Sequence, residues 1–96
     1  MKQKELLQLL RNTKKDLLKN FGIKELALFG SYARGDFTKE SDIDLAILDI
    51  DKKDYFIRAE AKYYLEHLLH KKVDLGYFDS IRPFIRRQVK NEMIHV

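Results

Sequence analysis

The chain has 96 residues, 45% of them hydrophobic and 35% charged, with 19 basic against 15 acidic side chains and a formal net charge of +4. A chain of this length supports one modest core, so it is read as a single domain over residues 1–96. It contains no cysteine, which removes disulfides, thiolate metal sites and cysteine nucleophiles; no segment nears the roughly 18 apolar residues of a membrane span, and a cytoplasmic location is expected.

From residue 3 to 21, Leu6, Leu7, Leu10, Leu17, Leu18 and Phe21 recur at three- and four-residue steps. This predicts one amphipathic helix, stopped by Asn20 and Gly22. Glu25 to Phe29 is a short apolar run closed by Gly30 and is read as a buried strand. In DIDLAIL, residues 42 to 48, a period of two sets Ile43, Leu45 and Ile47 on one face and Asp42, Asp44 and Ala46 on the other. One face of this strand is committed to a core, the other to carboxylates. Residues 54 to 70 predict a helix with Phe56, Ala59, Tyr63 and Leu69 on its inner stripe. Val73 to Phe78 reads as a third strand, carrying Asp74. A last helix is expected to begin near Pro83 and run through Phe84, Ile85, Val89 and Met93 toward the end of the sequence. The order defines a small α/β fold, with a mixed central sheet of about three strands under covering helices.

The stretch that carries chemistry is GSYARGDFTKESDIDLAI, residues 30 to 47. Gly30 and Ser31 follow a buried strand and open a short helix, so backbone amides and the Ser31 hydroxyl are available to an anion at the strand end. Gly30, lacking a Cβ, lets phosphate approach the main chain, and Gly35 lets the chain reverse. Asp42 and Asp44 lie side by side on one strand face, about 7 Å apart at Cα. Like charges that close call for a cation, and hard oxygen donors favour Mg²⁺ or Mn²⁺. A third carboxylate commonly completes such a site and can act as general base; Asp74 is the candidate, since an unpartnered acid in its apolar strand would be costly. His67, His70 and His95 have no zinc-binding spacing and are read as surface residues or helix-end cations. Tyr32 either packs the loop or stacks on a base, with packing the simpler reading.

The run G-S-x-A-R-G-x5-S-D-I-D-L, formed by Gly30, Ser31, Ala33, Arg34, Gly35, Ser41, Asp42, Ile43, Asp44 and Leu45, resembles the DNA polymerase β-like nucleotidyltransferases, in particular the minimal nucleotidyltransferase (MNT) proteins. The resemblance implies a polymerase β palm-like nucleotidyltransferase fold. It assigns triphosphate binding to Gly30 and Ser31, metal binding to Asp42 and Asp44, and completion of the catalytic and metal-binding triad to Asp74, with two Mg²⁺ ions and ATP as donor. Arg34 matches the family arginine, its role left open between contacting phosphate and bracing the loop. Larger relatives carry an acceptor-binding domain for which no residues remain here. The resemblance therefore implies a partner, a HEPN-domain RNase toxin encoded by a neighbouring gene, with this chain as antitoxin adenylylating a toxin tyrosine. Two other readings stand beside it. The chain could neutralise its partner by stoichiometric binding alone, or it could be a small basic nucleic-acid-binding domain, which leaves the aspartate strand unexplained.

Overall fold

The computed structural model describes all of residues 1–96. The predicted first helix is two: α1 (Gln3–Asn12) and α2 (Lys14–Phe21). They meet at Thr13, a buried residue whose amide and hydroxyl both donate to the Leu10 carbonyl, at 3.0 and 2.6 Å. These i−3 bonds tighten the turn and redirect the chain. Thr13 fills the inner-stripe position between Leu10 and Leu17, where an unbroken helix would carry an apolar residue. Gly22 then ends α2 in the left-handed region, φ 69°.

Strand β1 (Ile23–Phe29) runs into a five-residue helix, α3 (Gly30–Arg34), and a loop leads to β2 (Ile43–Ile50). Helix α4 (Tyr55–Leu69) is capped by the Asp54 carboxylate, which accepts from the amides of Phe56 and Ile57 at 2.8 and 3.2 Å. It crosses over to β3 (Val73–Tyr77), and a 3₁₀ turn at Phe78–Ser80 leads to α5 (Pro83–Glu92). The residues after Glu92 leave the helix, where continued helix was expected, and form β4 (Ile94–His95). The sheet thus has four strands in the order β3-β2-β1-β4, with β2 parallel to β3 and the other neighbours antiparallel. The expected α/β class holds, with one more strand than the sequence pattern marks.

The core face predicted for β2 is observed, with Ile43, Leu45 and Ile47 buried, but Ala46 on the opposite face is buried as well. With Leu26, Leu28, Val73 and Leu75 the first three form the sheet half of a core completed by Leu6, Leu10, Leu17, Leu65 and Leu69 from the helices. The inner stripe of α4 differs from the expectation at every position but Leu69. Phe56 and Tyr63 are 74% and 71% exposed and Ala59 is exposed, while Ala61, Leu65 and Leu69 are buried. The helix offers apolar residues on two stripes, and the one facing the sheet is spaced i, i+4, i+8 from Ala61, whose small side chain permits close approach. In α5 only Val89 of the predicted apolar run is buried; Phe84 is 85% exposed.

Strand β3 forms one margin of the sheet, and α4 supplies part of its missing pairing. The Val73 amide donates to the Glu66 carboxylate at 3.0 Å, and Arg58 Nη1 donates to the Leu75 carbonyl at 3.2 Å. The Arg58 guanidinium also sits 5.6 and 5.3 Å from the ring centroids of Tyr55 and Tyr77.

Candidate active site

The second face of the sheet carries the carboxylates. Phe29, the last residue of β1, pairs with Asp44, and Asp44 pairs with Asp74 across the parallel β2–β3 ladder. Directly paired residues point to the same side, so Asp74 shares a face with Asp44. Asp42 lies just ahead of β2, not within it, at the end of a turn in which Ser41 N–H donates to Thr38 O at 3.2 Å and Thr38 N–H donates to Ser41 Oγ at 2.8 Å. The motif serine thereby fixes the approach to the first aspartate.

Burial differs among the three. Asp42 and Asp74 are exposed and Asp44 is half-buried. Asp74 does not lie in the apolar surrounding expected of its strand: Val73 and Leu75 turn to the core, and the Asp74 carboxylate on the other face of β3 is exposed to solvent. Desolvation falls on Asp44 instead. Its carboxyl is pushed up to about 6, first by burial, then by the neighbouring charges of Asp74 and Asp42; Arg34 opposes the shift and Glu92 adds to it. Asp74 and Asp42 therefore act electrostatically on Asp44, although no three acidic or histidine side chains are gathered closely enough to form a ready cation cage.

Gly30 joins this group through its backbone. Its φ is +73°, and a Cβ placed on it would lie 3.0 Å from Asp44 Cγ and 3.2 Å from Asp44 Cβ. The space that the missing side chain leaves is taken by the Asp44 carboxylate, so the strand-end glycine is required by the aspartate as well as by any phosphate. Ser31 follows in the first turn of α3, partly exposed. Gly35 ends that helix at φ 91°, the predicted reversal. The Tyr32 ring is buried and stacked on Phe37 at 4.2 Å between centroids, which makes it a packing residue. Gln3 of α1 holds the far end of α3, donating to the carbonyls of Tyr32 and Ala33 at 2.8 and 3.1 Å.

Arg34 is engaged in bracing. Its Nε pairs with Asp36 at 3.2 Å and its Nη1 with Glu92 at 2.8 Å, and both carboxylates hold the guanidinium pKa above its ordinary value. Glu92, from the last turn of α5, was not anticipated. It ties α5 to α3 and lies within electrostatic reach of Asp44. The sequence signal was confined to an arginine in need of a partner, with nothing to say which acid would arrive.

A strand-end glycine and serine thus stand beside Asp44, which shares a sheet face with Asp74, and Asp42 ends the turn that leads into β2. The sequence matches the nucleotidyltransferase domain family over residues 10–96, and the chain belongs to that family. Its relatives place it in the MNT branch. It is 38% identical over 93 residues to a Methanocaldococcus jannaschii protein provisionally named a protein adenylyltransferase, spanning 96% of this chain and 95% of the relative. It is 34% identical over 93 residues to the protein adenylyltransferase MntA of Thermococcus cleftensis, spanning 96% and 93%. Among solved structures, one described as a minimal nucleotidyltransferase superposes with a TM-score of 0.79 at 31% identity, covering 98% of this chain and 95% of that one. A toxin–antitoxin structure with AMP-PNP superposes with a TM-score of 0.70 at 29% identity, covering 99% and 72%. A structure of a tri-AMPylated Shewanella oneidensis HEPN toxin with its MNT antitoxin gives 0.61 at 27%, covering 97% and 66%.

Proposed function

We propose that this chain is an antitoxin that transfers AMP from ATP to a hydroxyl, a tyrosine in this reading, of a partner HEPN-domain RNase encoded by a neighbouring gene. The observation that carries the reading is the in-register pairing of Asp44 with Asp74 beside Gly30. It sets the carboxylates at the mouth of the β1–α3 turn, where the triphosphate of a donor would lie.

In the proposed reaction the amides at the start of α3 and the Ser31 hydroxyl hold the triphosphate. The acceptor oxygen attacks the α-phosphorus, a new O–P bond forms, the bond to the β-phosphate oxygen breaks, and pyrophosphate leaves. Asp74, the most open of the strand carboxylates, takes the phenolic proton. The donor set of Asp42, Asp44 and Asp74 is all hard oxygen, and the raised Asp44 carboxyl marks it as a place where positive charge is missing. Mg²⁺ bound by these three would supply that charge and stabilise the attacking and leaving oxygens. Arg34 keeps the loop in place, and in this reading it turns from Asp36 toward phosphate when nucleotide binds.

The test is intact-mass measurement of the neighbouring HEPN protein after incubation with this chain, Mg²⁺ and each nucleoside triphosphate. One or more AMP additions are expected with ATP. The Asp42→Asn/Asp44→Asn variant should give none, and its toxin should remain active at substoichiometric antitoxin. A folded double variant that neutralises the toxin at wild-type dose would overturn the enzymatic reading in favour of stoichiometric binding.

A further inference from the structure

Helix α5 carries a surplus of unpaired positive charge. Arg82 at its cap and Arg86, Arg87 and Lys90 within it take part in none of the four ion pairs of the molecule. Arg86, Arg87 and Lys90 line an open groove of about 390 Å³ between the helix and Phe78. Phe84, 85% exposed, lies one turn before Arg87 on the same outer face, opposite the buried Val89. Neither feature helps the isolated chain. Arg82, Arg86 and Lys90 follow one another at i, i+4 spacing, a like-charge arrangement that weakens a helix. An exposed phenylalanine gains nothing from folding. A partner that is acidic and has an apolar edge would make use of both.

The position of α5 adds a second argument. Its last turn is tied by Glu92 to Arg34 of α3, the short helix that Gly30 opens against Asp44. A macromolecule seated on α5 is therefore brought next to the carboxylates. Arginine beside an exposed aromatic side chain is the composition of protein-binding hot spots. The other exposed aromatic face, Phe56 and Tyr63 on α4, has Glu60, Lys62 and Glu66 interleaved and does not select for charge.

We infer that the outer face of α5, with Arg82, Phe84, Arg86, Arg87 and Lys90, is the docking surface for an acidic face of the acceptor protein and sets its hydroxyl against Asp42, Asp44 and Asp74. The inference rests on the proposed adenylyl transfer for the identity of the acceptor, and its test separates docking from chemistry. The HEPN-domain protein of the neighbouring gene is titrated by calorimetry, without nucleotide, against wild type, Arg86→Glu/Arg87→Glu and Phe84→Ala. Each substitution lies outside the core, and thermal denaturation verifies that each variant folds.

The charge-reversal variant is expected to bind at least about tenfold more weakly, a loss of about 1.4 kcal/mol, and Phe84→Ala to weaken binding as well. Wild-type affinity should fall with added salt, and the reversal variant should lose that dependence. Both variants should keep the wild-type thermal shift with Mg·ATP, since α5 touches the acceptor and not the donor. Wild-type affinity in the reversal variant overturns the inference, as does a wild-type chain that does not bind the HEPN protein. Salt-dependent binding of polyuridylate through Arg86 and Arg87, with HEPN binding unaffected by their reversal, overturns it in favour of nucleic acid. Tight, α5-dependent docking without AMP addition to the HEPN protein would sink the adenylyl-transfer reading and leave the docking surface standing.

Discussion

Asp44 is charged at a position where burial and the neighbouring Asp74 and Asp42 disfavour that charge, and its ionised form therefore costs stability. Its folded carboxyl titrates near 6, above an unfolded value of about 3.9. Between those values the native state holds the proton more tightly, so this residue's contribution to stability is largest below the lower value and declines as pH rises toward 6. Asp44→Asn in EDTA should remove that decline, leaving the variant more stable than wild type at neutral pH and closest to it at pH 4. A wild-type minus variant melting difference that does not change across this range would show that Asp44 is not strained. Gly30 supplies a second contrast at this scale. Gly35→Ala meets no atom within 4 Å and bears only left-handed backbone strain of about 1–2 kcal/mol, whereas Gly30→Ala adds a collision with the Asp44 carboxylate. Urea denaturation should find Gly30→Ala the more destabilised; equal losses would mean that the carboxylate swings aside freely. The strand placement of Asp44 was legible because a period of two speaks directly about faces, whereas Asp42, expected on the same strand, ends the turn before it. The arrival of Glu92 beside Arg34 was not, because it joins residues 58 positions apart and depends on the path of α5, which no local pattern records.

Helix α4 shows how an element can serve a surface it does not belong to. Arg58 and Glu66, eight positions apart, reach the same margin of β3 and occupy a carbonyl and an amide that another strand could claim. Arg58→Ala/Glu66→Ala should therefore form larger species on size-exclusion chromatography at concentrations where wild type forms none, with little change in helical content. An unchanged elution profile would mean that the β3 margin is protected by something else. The existence and type of the long elements followed from hydrophobic period, caps and glycine stops. What escaped was of two kinds. The break at Thr13 is a side-chain hydrogen bond inside an otherwise helical pattern, and β4 is a two-residue pairing that exists because β1 is there to receive it. The inner stripe of α4 was misread for a third reason: aromatic residues suggest burial, but the sheet accepts the stripe with the smaller residue.

For the molecule as a whole, the proposed donor site predicts a large response to ligand. A ligand that binds the native state alone adds about 2.7 kcal/mol at a hundred times its Kd, so Mg·ATP should raise the melting temperature of wild type and leave Asp42→Asn/Asp44→Asn nearly unmoved; equal shifts in both would place the nucleotide elsewhere. The sheet topology also bears on the order in which the molecule assembles. Phe29 and Asp44 are 15 residues apart and close as an antiparallel pair, while Asp44 and Asp74 are 30 apart and meet only through the α4 crossover. Short-range closure is expected first and the parallel strand later. The third carboxylate then has to approach two that are already in place, and repulsion at the site becomes an opposing force in a late step of folding. Metal-free refolding should accordingly be slower above pH 6 than below it, and Asp74→Asn should narrow the gap in stopped-flow measurements. A divalent cation present during that step would act on the kinetics of folding before any nucleotide is bound.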